Sequence, residues 1–480
     1  MVRSLAVTNL TLLTRTAPKN KIRVWLCVDH TGEEAPPLQL KWKLNDQAVE
    51  PTPLRPLTPA HRFGAASFTG VYEFPVEGSF GPVNRVSVAT PTQSTELKIR
   101  HFPETLSHDA WFRILLVSCF HQAENHQALV TQTYLNIPTA ERQDLSLFMG
   151  DQVYLDLPTL NNYPDNEAKL AARFERYYKT NWTTYFGLDA LLKSAPAVFC
   201  ADDHEYWNNF PHRSPIIQNS WKKSSRQRWK SAADQLFDAF QCATPANRGD
   251  NIEIDVNPLS IMVLDQRTHR AEDRSATLAP SGLEQLNDWV DRLIDEKKIG
   301  AVVTGQSLLD KPVGQFQGAV ADWLLSNYRD YVGIVTALQR LSDAGRPVLL
   351  LTGDVHWGRV TRIKEAGRTR FIEIVCSPSS LVSTVGSDQL KNIGAGFRKF
   401  FKGEEARWPR HSKAPDAEPY FAQQLFGKRF RTEVLYKHQG DQFAMLALRK
   451  AANTLEAKVT YYEIHKRPAN PRVVPLGLLR

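Results

Sequence analysis

Four short apolar runs in the middle of the chain are each followed at once by a cluster of ionisable side chains. An apolar run of this kind predicts a strand that is buried in a sheet covered by helices. In open α/β sheets, ligands collect at the carboxyl ends of the strands. The four polar clusters are therefore expected to meet in one crevice. The runs with their clusters are residues 113–121, 145–154, 197–205 and 348–356.

Other apolar runs and amphipathic segments alternate along the same part of the chain, which predicts the α/β fold class. One helix is predicted directly after Pro280, with Ser281 as its N-cap and Glu284 at its third position. A second helix is predicted over about 323–341, before a turn at Gly345. The predicted strands are 113–117, 145–149, 197–200, 261–264, 301–304, 348–352 and 370–375, with a closing hairpin at 443–448 and 457–464 and an irregular insertion over 386–417.

The first hundred residues have a different pattern, in which apolar and polar residues alternate over short stretches separated by Pro- and Gly-rich turns. This pattern predicts a small antiparallel β-sandwich. A polar segment with a proline ends it, so we predict an N-terminal β-sandwich domain over 1–105 and a catalytic domain over 106–480. The alternating stretches are 21–28, 38–44, 66–74 and 84–89.

Composition limits the class of protein. The 480 residues include 59 Lys and Arg against 51 Asp and Glu, a net charge of +8, and 42% are hydrophobic. These values exclude a disordered or collagen-like chain. No apolar run approaches the ~20 residues of a bilayer-crossing helix, and the first residues lack the apolar region of an export signal. We therefore expect a cytoplasmic protein with no membrane span, whose scattered cysteines are reduced thiols.

The carboxylates at the strand ends need a partner of opposite charge. Asp151, Asp203 and Asp354 would repel one another in a shared, partly buried crevice and would resist ionisation. Bound cations remove this conflict, and the carboxylate, imidazole, thiolate and phenolate groups nearby offer enough donors for two metals. Two metals ~3.5–4 Å apart are the usual apparatus for hydrolysing phosphate esters, in which one activates water and both neutralise charge in the transition state.

Each cluster taken alone also has a purely structural interpretation. An isolated Gly-Asp, such as that at 150–151, is usually a turn, and the Asp-Asp-His-Glu at 202–205 could be a helix cap. Cys119 could be an inert core thiol. Four clusters in order, each behind an apolar run, favour the functional interpretation over these alternatives.

The motifs resemble those of a known family, the PhoD-like alkaline phosphatases and phosphodiesterases of the calcineurin-like metallophosphoesterase superfamily. The resemblance implies a four-layer αββα metallophosphoesterase sandwich preceded by a small all-β sandwich domain. It also implies an enzyme, a dinuclear metal-dependent hydrolase of phosphodiesters, phosphomonoesters or both. The similar motifs are Ser-Cys at 118–119, Gly-Asp-Gln-Val-Tyr at 150–154, Asp-Asp-His-Glu at 202–205, Val-Leu-Asp-Gln-Arg at 263–267, Gly-Asp-Val-His at 353–356 and Glu-Ile-Val-Cys-Ser at 373–377.

The resemblance further implies a set of metal ligands, with ferric iron and calcium as the two ions. The implied ligands are Cys119, Tyr154 and His356 for the iron, Asp203 and Asp354 for the calcium, and Asp151 as a bridge between both. Oxygen donors suit calcium better than zinc. Two divalent ions, such as zinc or magnesium, are the alternative pair. His121 falls at the histidine position of the superfamily's Asp-x-His motif and is a candidate additional ligand.

Three further residues are expected to act on the substrate. His204 would contact the phosphate or protonate the leaving oxygen, with Glu205 orienting it. Arg267 would clamp phosphate oxygens, because a guanidinium group binds them through two parallel hydrogen bonds. The substrate is then a small-molecule or polymeric phosphate ester. The sequence leaves open which ester is hydrolysed and what the oligomeric state is.

Two alternatives keep the same fold but change the function. The protein could be catalytically silent, although all the expected ligands are present. It could also bind nucleic acid through the basic and aromatic stretches at 221–230, 397–402 and 407–410. No nucleic-acid-binding module accompanies these stretches, so a solvated helix face and a basic lid over an anionic substrate are the favoured interpretation.

Overall fold

The computed structural model describes residues 7–15, 21–30, 39–75, 83–100, 102–158, 162–242, 248–315, 318, 322–354, 356–380, 420–421, 430–464 and 471–479. This part of the chain is a mixed α/β structure, as predicted. Its strands are β1 (Val7–Arg15), β2 (Lys21–His30), β3 (Lys41–Leu44), β4 (Gln47–Ala48), β5 (Thr52–Pro59), β6 (Ser67–Pro75), β7 (Val83–Ala89), β8 (Ser94–Arg100), β9 (Phe112–Val117), β10 (Leu145–Met149), β11 (Ala197–Cys200), β12 (Ile252–Val256), β13 (Leu259–Val263), β14 (Ile299–Thr304), β15 (Val348–Thr352), β16 (Gly358–Glu365), β17 (Arg368–Val375), β18 (Arg431–His438), β19 (Gln442–Ala451), β20 (Thr454–Glu463) and β21 (Arg472–Leu478). Its α-helices are α1 (Leu129–Leu135), α2 (Glu167–Thr183), α3 (Asp189–Ser194), α4 (Lys223–Phe240), α5 (Gly282–Glu296) and α6 (Tyr331–Asp343).

Two large sheets contain the strands that carry the polar clusters. The first has ten strands in the order β21-β20-β19-β9-β10-β11-β1-β2-β6-β5, and the second has seven in the order β12-β13-β14-β15-β17-β16-β18. Strands β9, β10 and β11 are parallel neighbours in the first sheet, and β13, β14, β15 and β17 are parallel neighbours in the second. Three of the four polar clusters therefore follow adjacent parallel strands, and the fourth follows a strand of the other sheet.

The two sheets share one apolar core. Ile114 and Leu147 of the ten-stranded sheet belong to the same buried cluster as Ile261, Val303 and Leu351 of the seven-stranded sheet. Parallel strands are stable when apolar side chains are buried on both of their faces, and here the second sheet covers one face. This packing brings β15 of one sheet opposite the β9, β10 and β11 strands of the other.

Helices cover the remaining face of each sheet. Phe148 of β10 packs in a cluster with Tyr178 of α2 and Trp229 of α4. On the other sheet, Val302 of β14 packs in a cluster with Trp289 of α5. These helices are amphipathic, and each buries its apolar stripe against a sheet.

The N-terminal strands extend the ten-stranded sheet and also form a sheet of their own. β1, β2, β6 and β5 follow β11 in the large sheet, where β1 pairs with β11 in parallel at Arg15 and Ala197. β4, β3, β7 and β8 form a separate four-stranded sheet. Trp42 and Val86 of this sheet share a buried cluster with Leu12 and Val24 of the large sheet. The sheet thus runs across the predicted boundary near residue 105, and the division into two domains stays a prediction.

Among the elements that were predicted individually, one helix differs most from the structure, while helices α1 to α4 and strands β12, β16, β18 and β21 were not predicted. The helix predicted from 323 begins only at Tyr331, because a short 3₁₀ turn, Leu325–Asn327, precedes it. The helix expected after Ser281 is α5, and the closing hairpin is β19 and β20, which pair with each other beside β9. The insertion predicted over 386–417 lies outside the described residues. In the described part of the chain, no helix has both the length and the hydropathy needed to cross a membrane.

Candidate metal centre

The polar clusters of the two sheets are held together by short hydrogen bonds between their turns. The Cys119 N–H donates to the carbonyl of Gly150 over 3.1 Å, which ties the end of β9 to the end of β10. The Asp354 N–H donates to Ser118 Oγ over 3.0 Å, which ties the end of β15 to the end of β9 across the two sheets. The polar clusters after β9, β10 and β15 therefore meet, as the apolar runs predict.

Four of the expected metal ligands have a left-handed backbone conformation. The φ angles are 53° at Cys119, 58° at Asp151, 51° at Asp354 and 58° at His356. Residues with a side chain rarely adopt these angles, and such conformations concentrate at functional sites, where the surrounding structure compensates their cost. The backbone therefore turns sharply at these ligands, which follow β9, β10 and β15.

Two glycines allow these turns to pack closely. A Cβ atom on Gly353 would lie 2.2 Å from the carbonyl oxygen of Met149 and 2.2 Å from Ser118 Oγ. A Cβ atom on Gly150, whose φ is 93°, would lie 2.6 Å from Asp202 Cβ. The Gly-Asp pairs are turns, as their structural interpretation expects, and these turns also bring the ligand-bearing segments into contact.

The expected ligands form two adjoining groups. Potential ligand atoms of Cys119, Asp354 and His356 lie within 4.8 Å of one another, and so do those of Asp151, Asp203 and His204. Asp354 thus lies with two of the expected iron ligands and not in the group of Asp203, and His204, expected to act on the substrate, lies among the potential ligands. Asp151 connects the groups, because the Cys119 thiol donates to its Oδ2 over 3.5 Å and the His204 N–H donates to its Oδ1 over 3.2 Å. The bridging role expected for Asp151 stays a prediction.

The buried carboxyl groups of the centre are costly to ionise unless a cation lies beside them. Burial and the neighbouring carboxylates raise the pKa of Asp354 well above its usual value. Burial also raises the pKa of Asp151 well above its usual value and that of Asp203 to about 6, against the lowering effect of His204 on both. A bound cation would favour the ionised carboxylates and remove their mutual repulsion. The donor set therefore fits metal ions.

Tyr154 and Cys119 add a phenol and a thiol to this donor set. Tyr154 is buried, and its hydroxyl has no hydrogen-bond partner among the described residues. Burial and the nearby Cys119 raise the pKa of Tyr154. Burial likewise raises the pKa of Cys119, whose sulfur lies 3.1 Å from Ser377 Oγ and 3.2 Å from Ser118 Oγ. A metal would supply the partner that the buried phenol oxygen lacks.

His204 is oriented by a residue that the sequence analysis missed. Its Nδ1 lies 2.8 Å from Asp156 Oδ1, and Asp156 also accepts the Asn208 N–H over 2.7 Å. Burial lowers the pKa of His204, but the carboxylates of Asp156, Asp203 and Asp151 outweigh burial and raise it well above the usual value. The available signal was position: Asp156 follows Tyr154 by two residues, after the same strand.

Glu205 was expected to orient His204, but its carboxylate binds backbone N–H groups instead. Its carboxylate accepts the backbone N–H groups of Asp151 over 3.0 Å, Gln152 over 2.7 Å and Asp202 over 2.9 Å. These bonds tie the turn after β10 to the turn after β11. Glu205 therefore holds the backbone of the site, while Asp156 contacts the ring of His204.

Arg267 lies beside the carboxylates with both of its terminal nitrogens engaged. Nη1 donates to the Phe210 carbonyl over 2.8 Å, and Nη2 contacts Asp202. Both also donate to Asp322, over 3.4 Å and 2.7 Å. The guanidinium group expected to clamp phosphate thus holds a carboxylate instead. Sequence analysis missed Asp322 because no strand or motif marks it.

A sequence model of the family described as PhoD-like phosphatase matches residues 114–414, which is more than half of the 480 residues. The chain belongs to the PhoD-like phosphatase family. The match contains every residue expected to bind metal, and it confirms the family predicted from the motifs. No curated protein matches the chain.

His121 lies next to the centre but outside the two ligand groups. Its ring centroid is 5.4 Å from that of Tyr154, and burial lowers its pKa to about 4. Its Nδ1 is buried without a hydrogen-bond partner among the described residues. A neutral imidazole with an unpartnered nitrogen can bind a metal ion through that nitrogen, so His121 stays a candidate additional ligand.

The basic stretch at 221–230 of the PhoD-like phosphatase is largely neutralised within the described structure. Arg226 pairs with Glu272 at 3.1 Å, Arg228 with Asp165 at 2.6 Å, and Lys230 with Asp234 at 2.7 Å. These pairs favour the interpretation of a solvated helix face over a nucleic-acid-binding surface. The other two basic stretches, at 397–402 and 407–410, lie outside the described residues.

We expect Glu205→Gln to destabilise the PhoD-like phosphatase by about 1–3 kcal/mol, since an amide cannot accept hydrogen bonds at both of its ends and leaves a buried N–H unsatisfied. Urea unfolding of the purified variant measures this loss. Glu272→Gln, which removes a solvent-facing carboxylate, is the matched control and should be close to wild type. Equal midpoints for the two variants would contradict the structural role of Glu205.

Proposed function

We propose that the protein is a metal-dependent hydrolase of phosphate esters with a dinuclear centre. The observation that carries this proposal is the pair of adjoining ligand groups, one containing Cys119 and the other containing Asp203, which Asp151 connects. A buried group of carboxylates, a thiol and a phenol is costly to keep without cations. Its position at the carboxyl ends of parallel strands, within the residues that match the PhoD-like phosphatase family, supports it as the site of hydrolysis.

We propose ferric iron and calcium as the two ions. Cys119, Tyr154 and His356 would hold the iron, as the family resemblance implies, since thiolate, phenolate and imidazole are all ligands that a transition-metal ion accepts. Asp203 and Asp354 would hold the calcium, which prefers oxygen. Two zinc or magnesium ions are the alternative, and elemental analysis of the purified protein distinguishes the two pairs.

The ions, when bound, would activate water and offset the negative charge that develops on the phosphoryl group. The protein's own groups would do the remaining work. His204 would protonate the leaving oxygen or bind a phosphoryl oxygen, and Asp156 would keep its ring in one orientation through the 2.8 Å contact to Nδ1. Glu205 would keep the two ligand-bearing turns in register.

We further propose that the two facing sheets and their helices form the four-layer αββα sandwich of metallophosphoesterases. The shared core between the sheets and the helix-covered outer faces support this assignment. The N-terminal residues 1–105 would then be a β-sandwich domain attached to the catalytic domain at β11.

The proposed function is tested by metal analysis of the purified protein together with assays on bis(p-nitrophenyl) phosphate and p-nitrophenyl phosphate. We expect about two metal ions per chain and hydrolysis of at least one ester. The ratio of the two rates reports whether diesters or monoesters are preferred. Metal-loaded protein that hydrolyses neither ester would instead support the catalytically silent alternative.

The metal assignment predicts a coloured protein. Phenolate and thiolate bound to ferric iron absorb visible light, because an electron moves from ligand to metal. Tyr154→Phe should weaken or shift the absorption band if the phenolate contributes, and Cys119→Ser should change it if the thiolate contributes. The spectrum of the concentrated protein, before and after reduction with dithionite, measures both effects.

The control for the colour is a tyrosine outside the centre. Tyr163→Phe changes a buried tyrosine whose hydroxyl donates to the Pro158 carbonyl over 3.3 Å, and it should leave the band unchanged. A fully active, colourless preparation without iron would withdraw Tyr154 and Cys119 as iron ligands and favour two divalent ions.

A further inference from the structure

Two arginines and a glutamine form a buried cradle of hydrogen-bond donors beside the carboxylate ligands. Arg267, Arg270 and Gln306 are all buried. Arg270 donates to Gln306 Oε1 over 3.1 Å and to the Trp323 carbonyl over 3.1 Å, while Arg267 donates to the Phe210 carbonyl over 2.8 Å. These bonds hold the three donor side chains in place independently of any ligand.

The carboxylate of Asp322 fills this cradle. Arg267 donates to its two oxygens over 3.4 Å and 2.7 Å, in the fork geometry that suits carboxylate and phosphate alike. Gln306 Nε2 donates to Oδ2, and Arg270 Nη1 lies 3.6 Å from the same oxygen. The N–H of Trp323 also donates to Oδ1 over 2.8 Å. The carboxylate of Asp322 therefore receives five donor contacts.

The cradle adjoins the groups expected to bind metal. Gln306 Nε2 lies 3.4 Å from Asp354 Oδ2, and Arg267 Nη2 contacts Asp202. Potential ligand atoms of Asp202, Asp322 and Asp354 lie within 4.8 Å of one another. An anion in the cradle therefore lies next to Asp354, one of the residues that would hold a metal ion.

We propose that Asp322 occupies the phosphoryl subsite and that the phosphoryl group of the substrate replaces it at Arg267 and Gln306. This inference rests on the proposed hydrolysis of phosphate esters. The side chain of Arg267 is 1% exposed and that of Asp322 is 15% exposed, so the carboxylate is the member of the pair nearer to solvent. Because one anion takes the place of another, Arg267 is not left as a buried charge without a partner.

This arrangement makes Asp322 a competitor for the substrate. A ligand that binds only after Asp322 has left the cradle has its apparent affinity reduced by the fraction of molecules in that open state. Asp322 would therefore raise the concentration of phosphate ester needed to fill the site, without taking part in the chemistry.

The test measures the Kd of inorganic phosphate for the metal-loaded protein by titration calorimetry. Asp322→Asn removes the charge and keeps the shape, and we expect it to lower the Kd roughly tenfold or more with unchanged metal content. The KM for p-nitrophenyl phosphate should fall with it. Asp343→Asn is the control, because Asp343 also pairs with an arginine, Arg370, but stands on α6 away from the ligands, and it should leave the Kd unchanged.

Three results would overturn the inference. A loss of metal from Asp322→Asn would make Asp322 a ligand, and an unchanged or higher Kd with full metal would make it a structural partner of Arg267. If Asp322→Asn does not fold, a crystal of the wild-type protein with phosphate decides, because phosphate bound while Asp322 stays on Arg267 contradicts the replacement. Failure of the wild-type protein to hydrolyse any phosphate ester would instead overturn the proposed function.

Discussion

Asp151→Asn is expected to abolish hydrolysis and to lower the content of both metals. The carboxylate of Asp151 adjoins the thiol of Cys119 on one side and the backbone of His204 on the other, so it connects the two ligand groups. An amide is neutral, whereas the carboxylate carries the negative charge that would attract both cations. Elemental analysis and an assay on bis(p-nitrophenyl) phosphate measure the two losses.

Asp144→Asn is a matched control for this variant. Asp144 precedes the same strand, β10, and its carboxylate accepts the Arg113 N–H over 2.9 Å at the end opposite to the metal centre. Its loss should reduce stability and leave metal content and turnover per folded molecule unchanged. If Asp151→Asn keeps both ions and near-normal turnover, Asp151 is only a turn residue and the dinuclear centre is wrong.

His204→Ala is expected to lower turnover roughly 10²–10⁴-fold, the usual range for losing a positioned acid, while metal content stays intact. The loss should be smaller for p-nitrophenyl esters than for alkyl esters, because p-nitrophenolate leaves without needing a proton. Asp156→Asn should give a smaller loss, since it keeps the imidazole and removes only the carboxylate 2.8 Å from Nδ1. Steady-state rates on the two classes of ester measure all three effects.

Two outcomes would reassign His204. Equal losses for good and poor leaving groups would remove the acid role and leave only binding of a phosphoryl oxygen. A loss of metal would make His204 a ligand, which its place beside Asp151 and Asp203 allows geometrically. His61→Ala is the control: His61 is also buried and lies 3.2 Å from Glu175, so its loss should lower stability without changing turnover per folded molecule.

The residues of the centre could be predicted because their signal is local. Each apolar run that reads as a buried strand does form one, and the polar residues directly after β9, β10, β11 and β15 are the ones that meet. The tight turns at Gly150 and Gly353 require a glycine directly before the ligand-bearing aspartate. This requirement leaves a short Gly-Asp motif in the sequence, and such motifs are why the family could be recognised. The helix expected from 323 was placed too early, since a 3₁₀ turn and an apolar helix share the same residue types.

The sequence by itself determined the fold class, the strands that carry the polar clusters and the types of side chain that follow them, because hydrophobic periodicity and the residues just after each strand act over a few positions. Only the tertiary structure decided which group contacts which. Asp156 orients His204, Asp322 holds Arg267, and β1 continues the large sheet beside β11. The first two contacts join segments about fifty residues apart, and the third joins the first strand to a strand beyond residue 190. Such contacts follow from how the two sheets bury their shared core, and no local pattern in the chain records that packing.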